Sequence, residues 1–112
     1  MTLTFDALRA ANTNRAFEWN KGPPLPLSFA MMELAGEAGE ACNAAKKLAR
    51  AEFGIAGGSD DVDALSRELA DVVICADLAA RKAGIDLGAW VARKFNETSD
   101  KHGFSTKLGD SA

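Results

Sequence analysis

Apolar residues recur along this chain at intervals of three and four, the period of a helix that buries one face. Phe5, Leu8, Ala11, Arg15 and Trp19 lie near one side of a first segment, and Thr2 or Thr4 is placed to cap its start. The segment ends in Asn20-Lys21-Gly22-Pro23-Pro24-Leu25-Pro26, where glycine stops a helix and three prolines forbid one. A second helix is expected from about Phe29 to Ala51, capped by Ser28, with Leu34, Ala38, Ala41, Ala45 and Leu48 on its apolar face. Residues 53–61 hold Gly54, Gly57 and Gly58 and read as a loop. Ser59 or Asp60 then caps a third helix, whose broad face of Val62, Leu65, Leu69, Val72, Val73, Ala76, Ala79 and Ala80 continues to Ala83. Gly84 ends that helix and Asp86 caps a fourth, in which Leu87, Trp90, Val91 and Phe95 are expected to pack inward with Lys94 close to the same stripe.

Four helices with short connections predict an all-α domain, an antiparallel four-helix bundle spanning residues 1–112, with a loose tail from about 103. The third helix carries more apolar surface than so short a chain can bury, so the bundle is expected to oligomerise through helix faces. Abundant alanine, few β-branched residues and no tyrosine agree with a helical chain.

Charge narrows the partners. The net charge is −3 and there is no basic run, which argues against a nucleic-acid partner but leaves room for a phosphate substrate held through a metal ion. No window approaches the length of apolar residues that spans a membrane, and the first ten residues lack a signal-like apolar core, so a cytoplasmic protein is expected. Cys42 and Cys75 fall in mid-helix contexts and read as small buried thiols rather than a disulfide.

Against this ordinary background, Glu33, Glu37 and Glu40 stand out, because they fall within about 60° of arc on one helix. Ala44 and Lys47 continue their line. Like charges at this spacing repel, so something positive is expected to lie against them. Gly36 and Gly39 flank the stripe, where missing side chains let a ligand or a helix approach. On the third helix Glu68 and Asp71 form a second acidic pair, which meets the first if the two helices pack antiparallel. Four clustered carboxylates suit Mg²⁺ or Mn²⁺, whereas zinc would ask for His or Cys at ligand spacing.

With its Glu37-x-x-Glu40 followed by Glu68-x-x-Asp71, the chain resembles the MazG-like all-α nucleoside triphosphate pyrophosphohydrolases, whose signature is this pair of motifs in this order. Glu-Ala-Gly-Glu, Glu-Leu-Ala-Asp-Val and the turn Gly84-Ile85-Asp86-Leu87 extend the similarity over roughly residues 12 to 104. The resemblance implies Mg²⁺-dependent hydrolysis of a (deoxy)nucleoside triphosphate between its α- and β-phosphates by metal-activated water, and a homodimer or homotetramer. It makes Glu37, Glu40, Glu68 and Asp71 metal ligands, with one of them or Glu33 orienting or deprotonating the water. It makes Lys94 the phosphate contact, and Lys47 is a second candidate. Trp19 is a candidate for stacking on the base, and Asn12, Arg15, Asn43 and Asn96 are further polar candidates.

Two positions depart from the pattern. Where relatives often carry Asn four residues after the lysine, this chain has Thr98, with Asn96 two residues earlier; Cys75 stands where some carry an aromatic. Other readings are a related dUTPase-like or phosphoribosyl-ATP pyrophosphohydrolase, and a non-catalytic helical oligomerisation or metal-binding module whose acidic stripe is a solvated face.

Overall fold

A computed structural model describes residues 2–109. Four helices make up the fold, α1 (Phe5–Trp19), α2 (Leu27–Glu52), α3 (Val62–Ala83) and α4 (Leu87–His102), and the described residues contain no strand. The helix ends follow local chemistry. Thr4 caps α1 by accepting from the Ala7 amide, and Asp86 caps α4 by accepting from Ala89. Gly84 closes α3 in the left-handed region.

Two expected caps are corrected. Ser28 does not cap α2: the helix begins two residues earlier than expected, behind Pro26, whose fixed backbone suits an entry position and whose carbonyl accepts from Phe29. Neither Ser59 nor Asp60 caps α3. Asp61 does, accepting from Ala64, while the Ser59 hydroxyl accepts from the Asp61 amide.

The frame is the hairpin of α2 and α3, with α1 laid along α3. The hairpin loop folds tightly onto the end of α2, where Ser59 donates to the Lys47 carbonyl. At Gly58 a Cβ would lie 2.4 Å from the Ala51 nitrogen, so only glycine permits this approach. Between α1 and α3 the seam is polar at its heart. Asp77, 1% exposed, takes the Arg9 guanidinium at 3.0–3.2 Å and the Asn12 amide at 3.0 Å. Asn12 also donates to the Ile74 carbonyl, and Arg9 reaches on to the Ile85 carbonyl in the α3–α4 turn.

α4 packs only lightly, against α1. The radius of gyration is 17.2 Å, against about 13 Å for a compact chain of this length. The four helices therefore do not close into a compact bundle within one chain. Leu87, Trp90, Val91 and Phe95, expected to pack inward, instead line an open groove; Trp90 is 49% exposed. Of the tail expected to be loose, residues 104–109 return along α4, where Asn96 exchanges two hydrogen bonds with the Leu108 backbone and Lys107 pairs with Asp100. Residues 110–112 lie outside the described residues. Both cysteines are free, but Cys42 is exposed rather than buried, and Cys75 is half-buried.

Candidate metal centre

The α2–α3 hairpin brings Glu37, Glu40 and Glu68 together, one carboxylate oxygen from each lying within 4.8 Å of the others. The helical period explains it. Glu37 and Glu40 sit at the border of the α2 face that packs on α3, beside Ala41, which is buried in the seam. Glu68 sits on the answering border of α3. Packing two such borders leaves the carboxylates facing one another at the rim.

Their state is unusual for surface glutamates. Glu37 and Glu68 are half-buried, and the inner oxygen of each, Oε2, is shielded from solvent with no hydrogen-bond partner. Shielding from water, followed by the negative charges of Glu40 and Asp71, pushes the Glu37 carboxyl above its ordinary value of 4.5. Glu68 is raised as well, by shielding first, then by the hydrogen bond and charge of the adjacent Glu40 and the charge of Asp71, with a hydrogen bond to Glu37 pulling the other way. Asp71 is exposed and stands outside the close trio, although its charge reaches both of these neighbours.

A cleft of about 470 Å³ opens beside the trio, between α2 and the first turn of α3. Glu40 and Glu68 line one end. Asn43 and Lys47 follow along α2, and Ser59, Asp61 and Ala64 form the opposite wall. Gly36 and Gly39 border it, and a Cβ at either would meet nothing within 4 Å. Lys47 has no ion pair among the described residues, so its charge is available to the cleft.

A second cavity, about 530 Å³, lies at the other end of the acidic stripe. Trp19 and Phe17 from α1, the proline-rich turn, Glu33 from α2 and Arg81 and Lys82 from α3 surround it. Trp19 is 80% exposed on its wall. Cys75 on α3 has its thiol pushed upward by burial and then by Glu37, Glu33 and Asp71, and drawn the other way by Arg15. Arg15 therefore lies within electrostatic reach of Cys75.

Three expected contacts are elsewhere. Asn12 is sealed in the α1–α3 seam with its amide nitrogen engaged by Asp77 and Ile74. Asn96 has both ends of its amide on Leu108. Lys94 lies on the apolar groove of α4, away from the trio. Ser59, which helix patterning reads only as a cap, and Asp61 are cleft residues as well; their place in the wall depends on how the loop folds back at Gly58.

The residues present fit a hard divalent cation: oxygen donors only, from two helices, with two shielded oxygens lacking any partner. Compared with known proteins, the chain matches no family model, no curated protein and no solved structure. Its assignment rests on the site.

Proposed function

We propose that this chain is a Mg²⁺-dependent hydrolase that cleaves (deoxy)nucleoside triphosphates between the α- and β-phosphates, giving nucleoside monophosphate and pyrophosphate. The reading makes it MazG-like, cytoplasmic and a homodimer or homotetramer, with Mn²⁺ as a substitute ion. One observation carries it. The trio pairs shielded, partnerless carboxylate oxygens with an adjoining open cleft, an arrangement that costs stability unless a cation comes in. A solvated acidic stripe, as in a non-catalytic module, would leave Glu33, Glu37 and Glu40 in bulk water; Glu33 and Glu40 are exposed as that reading expects, whereas Glu37 is half-buried.

Glu37, Glu40 and Glu68 would hold the ion, with Asp71 adjoining. Such an ion, when bound, supplies Lewis acidity, charge neutralisation and a more acidic water. The chain's own residues do the rest. Lys47 and Asn43 place a positive charge and an amide in the cleft, where phosphate oxygens need donors. Glu33, at the edge of the second cavity, would accept a proton or a hydrogen bond from water on that side. Trp19 offers a flat apolar face to a base, and Arg15, whose charge reaches Cys75, is a further positive candidate. Fixing both ends of a triphosphate would supply much of the rate enhancement through positioning.

Product analysis tests this. The protein is incubated with Mg²⁺ and each common NTP and dNTP, with Glu40→Gln alongside, and nucleotide and phosphate products are resolved. Monophosphate and pyrophosphate from the wild type alone would support the reading. Diphosphate and orthophosphate would put cleavage at the wrong bond and sink it.

A further inference from the structure

The second cavity carries more chemistry than a stacking face. Trp19, Leu25, Phe29 and Leu78 give it apolar walls, and about 530 Å³ is an ordinary volume for a small-molecule site. Its turn is held in place by the chain itself. The Asn20 amide donates to the Pro23 carbonyl and accepts from the Gly22 amide, both at 2.9 Å, and the prolines that follow have fixed backbones. The Trp19 indole stands on this wall with no ring or cation over it among the described residues.

Three charged side chains line the same cavity, Glu33 from α2 and Arg81 and Lys82 from α3. Opposite charges on one wall would be expected to close on each other, yet here they do not. The ion pairs among the described residues are Arg9–Asp77 and Lys107–Asp100. Arg81 holds its guanidinium 5.7 Å from the centre of the Phe17 ring, a contact made through its charge that leaves its N–H edge unspent. The cavity therefore combines flat apolar surface with an accepting carboxylate and a donating guanidinium that stand apart.

That combination discriminates among rings. A carboxylate only accepts, and two adjacent N–H groups satisfy both of its oxygens. Of the common bases, only guanine presents two donors side by side, N1–H and the N2 amino group. Adenine and cytosine offer one amino group beside a ring-nitrogen lone pair, which a carboxylate repels. Uracil and thymine offer a single N–H between two carbonyls. Guanine also carries O6 and N7, the acceptor pair that a guanidinium meets with two N–H bonds.

We infer that this cavity selects a guanine base, with Glu33 accepting from N1–H and the N2 amino group, Arg81 donating to O6 and N7, and Trp19 as the stacking face. Glu33 stands four residues before Glu37, about 6 Å along α2, so the base lies one helical turn from the trio. The inference rests on the nucleotide reading above and deepens it by naming the base. The guanine edge takes the place of the water assigned to Glu33 there.

Binding of nucleoside 5′-monophosphates in chelator tests it without turnover and without a metal ion. The full-length protein is titrated with the guanosine, inosine, adenosine, cytidine and uridine compounds, and shifts of the Trp19 indole and the Gly22 amide are followed by NMR. All five share one phosphate, so their ratio isolates the base. The guanosine compound is expected to bind about 10-fold or more tighter than the adenosine, cytidine and uridine compounds, with inosine, which lacks the N2 amino group, in between. Glu33→Gln and Arg81→Gln should each bring the guanosine Kd close to the adenosine one. Equal affinity for all bases, a guanine preference that survives both variants, or no saturable shift at Trp19 at millimolar ligand would overturn the inference. Should triphosphates still be cleaved to monophosphate and pyrophosphate, the hydrolase reading would stand while this base assignment fell. Guanine-selective binding at Trp19 without any triphosphate cleavage would support the base site and sink the hydrolase reading instead.

Discussion

Helix α3 carries two inward carboxylates that the protein treats in opposite ways. Asp77 is buried deeply and fully answered: the Arg9 guanidinium grips both its oxygens and the Asn12 amide takes one of them. Glu68, nine residues earlier, is less buried and its carboxyl meets other carboxyls, Glu40 and Glu37, with no cation or amide donor on its shielded oxygen. The first is an anion for which the chain supplies the cation. The second belongs to a group of anions with no ion pair to a cation among the described residues. A buried charge with its partners built in is a structural fastening, whereas the gathered anions are, on the reading proposed above, arranged for a cation from outside.

Removing the built-in cation should have the largest effect. Arg9→Leu strands Asp77 beside Asn12 and should cost about 3 kcal/mol or more in urea denaturation. A loss under 1 kcal/mol would mean that Asp77 needs no cation and that the contrast is false. Glu68→Gln should behave in the reverse manner, leaving the urea midpoint of the cation-free protein unchanged or higher. It should lower Mg²⁺-dependent triphosphate hydrolysis on the order of 100-fold or more, as expected when fixed transition-state charge is removed.

A third outcome concerns pH. Glu37 and Glu68 both have carboxyls raised above 4.5, so between 4.5 and their raised values the folded chain holds more protons than the unfolded one. Without divalent cations their contribution lowers stability as pH rises through that window, and the penalty is complete above it. A cation competes with those protons. At ~100 times its Kd it should add about 2.7 kcal/mol at pH 7.5, seen as a raised melting temperature, and much less at pH 4.5. An equal gain at both values would remove the carboxylates from the explanation. The smallest effect is Glu37→Gln in chelator, a slight rise in melting temperature at pH 7.5 that vanishes near pH 4.5. A fall at pH 7.5 would show that Glu37 has a partner.

How far the chain could be read in advance follows the same division. The helices, the caps at Thr4 and Asp86 and the gathering of Glu37, Glu40 and Glu68 depend on local period and on two adjacent helices meeting, so they are legible in the pattern. Asn12 was not, because its partner Asp77 lies 65 positions away and nothing in its own segment distinguishes a sealed amide from an exposed one. Lys94 shares its stripe with Leu87, Trp90 and Val91, and periodicity shows that such a stripe seeks cover without saying which chain supplies it. Pro26 replaced Ser28 as the cap of α2 because an entry position can be met by fixed backbone geometry as well as by a hydroxyl. Asp71, alike in motif to the other three acids, falls outside the trio because helix position fixes a side chain's direction only to within its rotamers.

The central claim is that Glu37, Glu40 and Glu68 are gathered for a divalent cation. Titration with Mn²⁺, following the loss of the free-ion electron paramagnetic resonance signal, tests it most directly in wild type, Glu40→Gln and Glu68→Gln. Saturable binding by the wild type, competed by Mg²⁺ and weakened at least ~10-fold in each variant, is the expected result. Binding that is unchanged in both variants, or absent from the folded wild type at millimolar Mn²⁺, would contradict it.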